Sequence, residues 1–194
     1  MVVLASAVLG CGSSGSGSSP PVGTYAGTVT GSDAFVAVVA GKAHLVAYVC
    51  DGAHGIADLF TGRRSTGALV LRDSRGARVS LAIEPHSATG EFTPPRGSRA
   101  LAFEVPVARG KAGLYRVVRR LRGARTTIGW VVLNDGHQRG AMTIAGRTLT
   151  APTLSTSTGT ATVGSVTISA TRISPGSVSS SGLSGFNGFS GFGG

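Results

Sequence analysis

Apolar and polar positions alternate along most of the chain in short runs. Val79, Leu81 and Ile83 take one parity, and Arg78, Ser80, Ala82 and Glu84 take the other. Leu101, Phe103 and Val105 repeat the pattern against Ala100, Ala102 and Glu104. A period of two with one apolar parity is a half-buried antiparallel strand. The runs around Val36 and Val46 are apolar on both parities, which predicts strands that are central or covered on both faces. Similar short runs lie at 23–30, 56–61, 68–72, 90–93 and 114–118, with Gly or Asp51-Gly52 turn signals between many of them. The connections are too short for parallel crossovers. The pattern predicts an all-β fold, an antiparallel meander closing into a small barrel or a sandwich, because closure removes exposed edges.

After residue 118 the pattern breaks at a basic connector, 119–125, and resumes at 127–133, 141–144 and 165–171. About 50 residues are too few for a confident core of their own. Residues 126–174 are therefore expected to add strands, including a C-terminal β-hairpin region, to a barrel-like domain over 22–118. From Pro175 to Gly194 Ser-Gly repeats fit neither period, and three of the seven Phe fall there. This stretch reads as a disordered tail.

Composition sharpens the picture at the N-terminus. Residues 1–10 are apolar and close on Gly10, the form of a signal peptide. Cys11 follows, and 12–21 are a Gly/Ser linker ending in Pro20-Pro21, a flexible tether. Val8-Leu9-Gly10-Cys11 resembles the lipobox of bacterial lipoproteins. That resemblance implies cleavage before Cys11, lipid on its thiol and amine, and an extracytoplasmic location anchored to the membrane. Several acyl chains on one residue anchor stably, where a single chain is marginal. Cys50 is then left without a partner, as a small buried hydrophobe.

Charge is sparse and one-sided: 18 Lys and Arg face 8 Asp and Glu, for a net +10. Arg109, Lys111, Arg116, Arg119, Arg120, Arg122 and Arg125 occur with no acid between them. Such a stretch attracts polyanions through a long-range field. Phosphate-bearing wall polymers or anionic lipid head groups are the expected partners. Nucleic acid is not expected, because only Tyr115 is interleaved as a stacking aromatic.

Catalytic motifs are missing. The chain has no Gly-x-Ser-x-Gly elbow, no phosphate loop, no His-Glu-x-x-His and no Cys-x-x-Cys. An envelope hydrolase would have to use His54 as base beside Cys50 or Asp51. Asp51, His54 and Asp58, with His44 on the preceding strand, are the one set with oxygen and imidazole ligands for a divalent cation. They match no known ligand spacing and read as turn residues, so neither a metal nor another cofactor is expected.

Gly23-Thr24-Tyr25 is similar to the Gly-x-Trp that opens lipocalin and avidin barrels, with Tyr for Trp. Ala47-Tyr48-Val49-Cys50-Asp51-Gly52, Ala112-Gly113-Leu114-Tyr115-Arg116 and the run Gly129 to Gly140 together resemble β-rich secreted or lipoprotein domains of GC-rich bacteria. That resemblance spans roughly 22–144 and implies location and architecture, with no site residues to carry over. The expected function is a membrane-tethered, monomeric binding or structural module and not an enzyme. Any small ligand would sit in the barrel mouth near Tyr48, Phe60, Trp130 and His54.

Overall fold

The computed structural model describes residues 21–96 and 99–179. The leader, Cys11 and residues 180–194 of the tail lie outside the described residues. The described chain is all-β, with antiparallel pairings throughout. The first sheet runs in chain order: β1 (Gly23–Thr28), β2 (Phe35–Ala40), β3 (His44–Asp51) and β4 (Ile56–Arg63). The second also runs in order: β5 (Leu69–Arg72), β6 (Arg78–Ile83), β7 (Ser87–Thr93) and β8 (Leu101–Pro106).

The inward parity of both sheets makes one core. Val36, Val38, Val49 and Phe60 meet Val79, Leu81, Phe92 and Phe103. Phe60 and Phe92 pack edge to face, with ring centroids 6.3 Å apart. At one seam β1 reaches β8 through a Tyr25–Val107 bridge, Ala108 N–H to the Thr24 carbonyl and Thr30 N–H to the Ala102 carbonyl. At the other, β4 and β5 form no ladder, so the eight strands do not close into a barrel.

The third sheet has the order β12-β11-β10-β9-β15: β9 (Gly113–Leu121), β10 (Ala124–Val132), β11 (Gln138–Ile144), β12 (Arg147–Thr150) and β15 (Thr171–Arg172). Its inner face packs Leu114, Val131 and Ala141 on Ala37, Val39, Val46 and Tyr48 of the first sheet. The first sheet is therefore covered on both faces, as the doubly apolar runs at Val36 and Val46 require. Gly129 permits the close approach, because a Cβ there would stand 2.7 Å from the Tyr48 ring. The outer face carries Trp130, Ile128 and Tyr115 under Leu154 and a small hairpin, β13 (Thr160–Val163) and β14 (Val166–Ser169). Trp130 Nε1 donates to the Pro152 carbonyl at 2.7 Å, which satisfies its one polar atom inside the core.

Two expected boundaries move. Residues 114–118 belong to the third sheet, and 119–125 are no connector but the end of β9, a turn and the start of β10. The start of the expected tail is ordered: Pro175–Ser177 form a 3-10 turn, and Val178 is buried against the first and third sheets.

Candidate functional site

The β9–β10 hairpin gathers the exposed charge. Leu121 pairs with Ala124, so only Arg122 and Gly123 make the turn. Both have positive φ, 48° and 81°. A two-residue hairpin turn of this kind matches strand twist and requires that backbone, which Gly adopts freely and Arg does not. The period of two then sorts the basic run. Leu121 enters the outer core and Arg119 shares its parity, while Arg120 takes the other. Arg120 pairs directly with Arg125 across the strands, and both are exposed. Like charges directly opposite one another are destabilising. The Arg120 guanidinium folds back to donate to the Gly123 carbonyl at 3.0 Å, and no described carboxylate lies within ion-pair distance of it.

The same end of the sheet receives a further arginine that the linear run does not contain. Arg119 pairs with Thr126, Thr126 with Ile144, and Ile144 with Arg147. Arg119 and Arg147 thus face the same way in one row across four strands, about 14 Å apart at about 4.8 Å per strand. The Ala145-Gly146 turn, with φ of 47° and 77°, is the sequence signal that could have placed Arg147 there. Arg119, Arg120, Arg122, Arg125 and Arg147 are all exposed.

The other members of the basic run go elsewhere. Arg109 and Lys111 precede Gly113, which pairs with Val132 at the opposite end of the sheet, about 30 Å from the turn at about 3.3 Å per residue. Arg116 is buried against the first sheet. Burial lowers its pKa to about 10, with Tyr48 opposing that shift and Arg125 adding to it. Tyr115 is inside the outer core, its hydroxyl donating to the Lys111 carbonyl, so it offers no stacking face to the arginines.

Over the whole chain the asymmetry is large. Residues 1–106 hold eight Lys and Arg and seven Asp and Glu, for +1. Residues 107–194 hold ten and one, for +9, with Asp135 as the single acid.

The four ligand-pocket candidates do not meet. Phe60 is in the core of the first and second sheets, Tyr48 between the first and third, and Trp130 on the far side of the third. His54 is exposed on a 3-10 turn, Gly52–His54, and its Nδ1 lies 2.7 Å from Asp51 Oδ2. The cation candidates are also separated. His44 and Asp51 stand at opposite ends of β3, and Asp58 points with Phe60 into the inner core. Asp33, Asp51 and His54 do converge, with ligand atoms within 4.8 Å of one another. Arg139 already supplies a cation there, 3.2 Å from Asp51 and 3.9 Å from Asp33. Burial raises the Asp51 pKa, but His54 and Arg139 outweigh it and hold the group below its usual value. Cys50 is sealed, its thiol donating to the Arg139 carbonyl, and burial pushes its pKa far up. It supplies no thiolate to a base on His54.

A second buried acid behaves oppositely. Asp58 is fully buried and ion-paired to Arg75 of the β5–β6 turn. Burial raises its pKa to about 7; Arg75 opposes this, and the Asp73 carboxyl beside it adds to it. The sequence sets Asp58 beside the Asp51–His54 turn, in the run Ile56 to Thr61, and the weak alternation of that run gives no sign that the carboxyl points into the core.

Comparison with protein-family models, with curated proteins and with solved structures finds no match to this chain.

Proposed function

We propose that the chain is a binding module that holds a linear polyanion of the cell envelope on the basic end of its third sheet. One observation carries the reading. Arg120 and Arg125 face each other as exposed cross-strand partners beside the Arg122 turn, with Arg119 and Arg147 on the other face of the same sheet end and no acid among them. Arg72 and Arg78 are the same kind of exposed pair in the β5–β6 hairpin, but Asp73 lies in that turn. The β9–β10 end has no acid to offset the repulsion, and a row of phosphates removes it. Guanidinium groups bind phosphate in bidentate fashion, which suits arginine better than lysine. The turn at Arg122 joins the Arg120–Arg125 pair on one face to Arg119 and Arg147 on the other, so an extended ligand would wrap the sheet end.

Display outside the membrane, through lipid on Cys11, belongs to the same proposal and rests on the lipobox resemblance. Mass spectrometry of the chain from a producing bacterium would show the acylated Cys11 N-terminus. An unmodified Cys11 would remove the tether and leave the binding site untouched.

The binding reading is tested by titrating the intact chain with inorganic polyphosphate over a range of salt. Each engaged phosphate contributes about 0.7–0.9 to the slope of log K against log salt for nucleic acids, and a similar dependence is expected here. Replacing Arg119, Arg120, Arg122 and Arg125 by Gln should flatten that slope and weaken binding by at least about 100-fold. Salt-insensitive binding, or binding that survives the four substitutions, would overturn the proposal.

A further inference from the structure

We propose that the unzipped seam between β4 and β5 is a second binding site, for a single-chain amphiphile with an anionic head. At the 64–68 loop that joins β4 to β5 the seam opens into a pocket of about 320 Å³. Leu45 and Leu81, both nearly fully buried, belong to the inner core and also line the cavity. Leu69 and Ile83 add apolar wall, and Arg64, Ser65, Thr66 and Glu84 supply the polar part of the lining. The floor is aliphatic, with the inner core behind it.

The charge at this site is set by Arg64. Its N–H donates to the Ala43 carbonyl at 2.8 Å, which ties it to the β2–β3 turn. Its guanidinium donates to the Gly41 carbonyl at 3.0 Å and the Pro21 carbonyl at 2.5 Å. These bonds fix a half-buried cation against an apolar cavity. Glu84, the one acid in the lining, is exposed, and water screens its field more than that of Arg64. Lys42 on the tied turn and Arg63 beside Arg64 are further exposed cations near Arg64. An apolar cavity with a held guanidinium complements an alkyl tail with a carboxylate or phosphate head. The volume is at the low end of the roughly 300–1,000 Å³ of small-molecule pockets, which suits one chain and not a multi-chain lipid.

This site is at the seam of the first two sheets and does not depend on the arginine hairpin. The intact chain is titrated by calorimetry with dodecanoate below its micelle concentration, and with dodecanol as the uncharged counterpart. Saturable binding of one dodecanoate per chain is expected, about tenfold tighter than dodecanol. Arg64→Gln, which keeps an amide donor for the carbonyls, should lower dodecanoate to the dodecanol level and leave dodecanol unchanged. Ala68→Trp, at an exposed position of the lining, should abolish both. The hairpin variant with four Gln should bind dodecanoate as the parent does. Absence of saturable binding, or binding unchanged by Ala68→Trp, would overturn the inference. Loss of dodecanoate binding in the hairpin variant would overturn it as well, by placing the head group on the other basic surface.

Discussion

Residues 21–106 and 107–179 are built from the same kind of strand but use charge in opposite ways. In the first region acids are almost as numerous as bases, and Asp33, Asp51, Asp58 and Asp73 all lie in ion pairs. Two of them, Asp51 and Asp58, are buried, so their charge is absorbed into the fold. In the second region ten bases share one acid, and at least five arginines crowd one exposed sheet end. Arg139 is the exception, because it turns back to Asp33 and Asp51 and joins the two regions. Charge that pairs inside a fold stabilises it, whereas charge left unpaired at the surface is available to a partner.

The largest expected effect tests whether the regions fold together. Trp130→Ala should cost about 3–5 kcal/mol in denaturant unfolding, by opening a cavity under Leu154 and the β13–β14 hairpin. A single transition is expected, because the first sheet is packed on both sides. Two separate transitions would show that the regions are independent units.

Arg139→Gln comes next. It leaves the Asp51 carboxylate with His54 and the Ala53 N–H and should cost about 1–3 kcal/mol at neutral pH. The folded pKa of Asp51 lies below its unfolded value, so this contribution is present above about pH 4 and fades as the pH falls through the folded pKa. The variant and the parent should therefore converge in acid. A difference that persists at low pH would mean that Arg139 acts by packing over Phe35, 5.4 Å from the ring centre, and not by charge.

Asp58 gives the opposite sign. Its folded pKa, about 7, lies above the unfolded value, so the folded state binds the extra proton between about pH 4 and 7. That contribution is full below pH 4 and is lost as the pH rises through 7. Asp58→Asn should remove a decline of roughly 1–3 kcal/mol across that window in pH-dependent unfolding. An unchanged pH profile would show that Arg75 neutralises the carboxylate fully.

Much of this architecture was legible from the residue pattern, because period two is a direct readout of which face a residue takes. The doubly apolar Val36 and Val46 runs marked the sheet that ends up between two others. Arg147–Thr150 and Thr160–Val163 were missed because they are Thr-rich and lack a strong apolar parity. Barrel and sandwich both stayed open, because whether β4 and β5 form a ladder is a tertiary matter that no local pattern encodes. The pocket candidates failed for a related reason. Tyr48, Phe60 and Trp130 are large and apolar, but the sequence does not say that they serve three separate cores. The basic run was legible as a run. Its partition, with Arg116 buried, Arg109 and Lys111 at the far end and Arg147 recruited, needed the antiparallel register.

The smallest stability effect accompanies the largest functional one. Removing the charges of Arg119, Arg120, Arg122 and Arg125 should leave stability within about 1 kcal/mol of the parent, or raise it, since like-charge contacts are lost. A matched variant in the first region, with Arg63, Arg72, Arg78 and Arg99 changed to Gln, removes as many charges from exposed positions, the Arg72–Arg78 cross-strand pair among them. Polyphosphate affinity of the two variants, measured side by side against salt, separates a placed site from net charge. The hairpin variant should lose at least about 100-fold and most of its salt dependence, while the matched variant stays within about fivefold of the parent. Equal losses in the two variants would contradict a site at the hairpin and leave only the overall charge of +10.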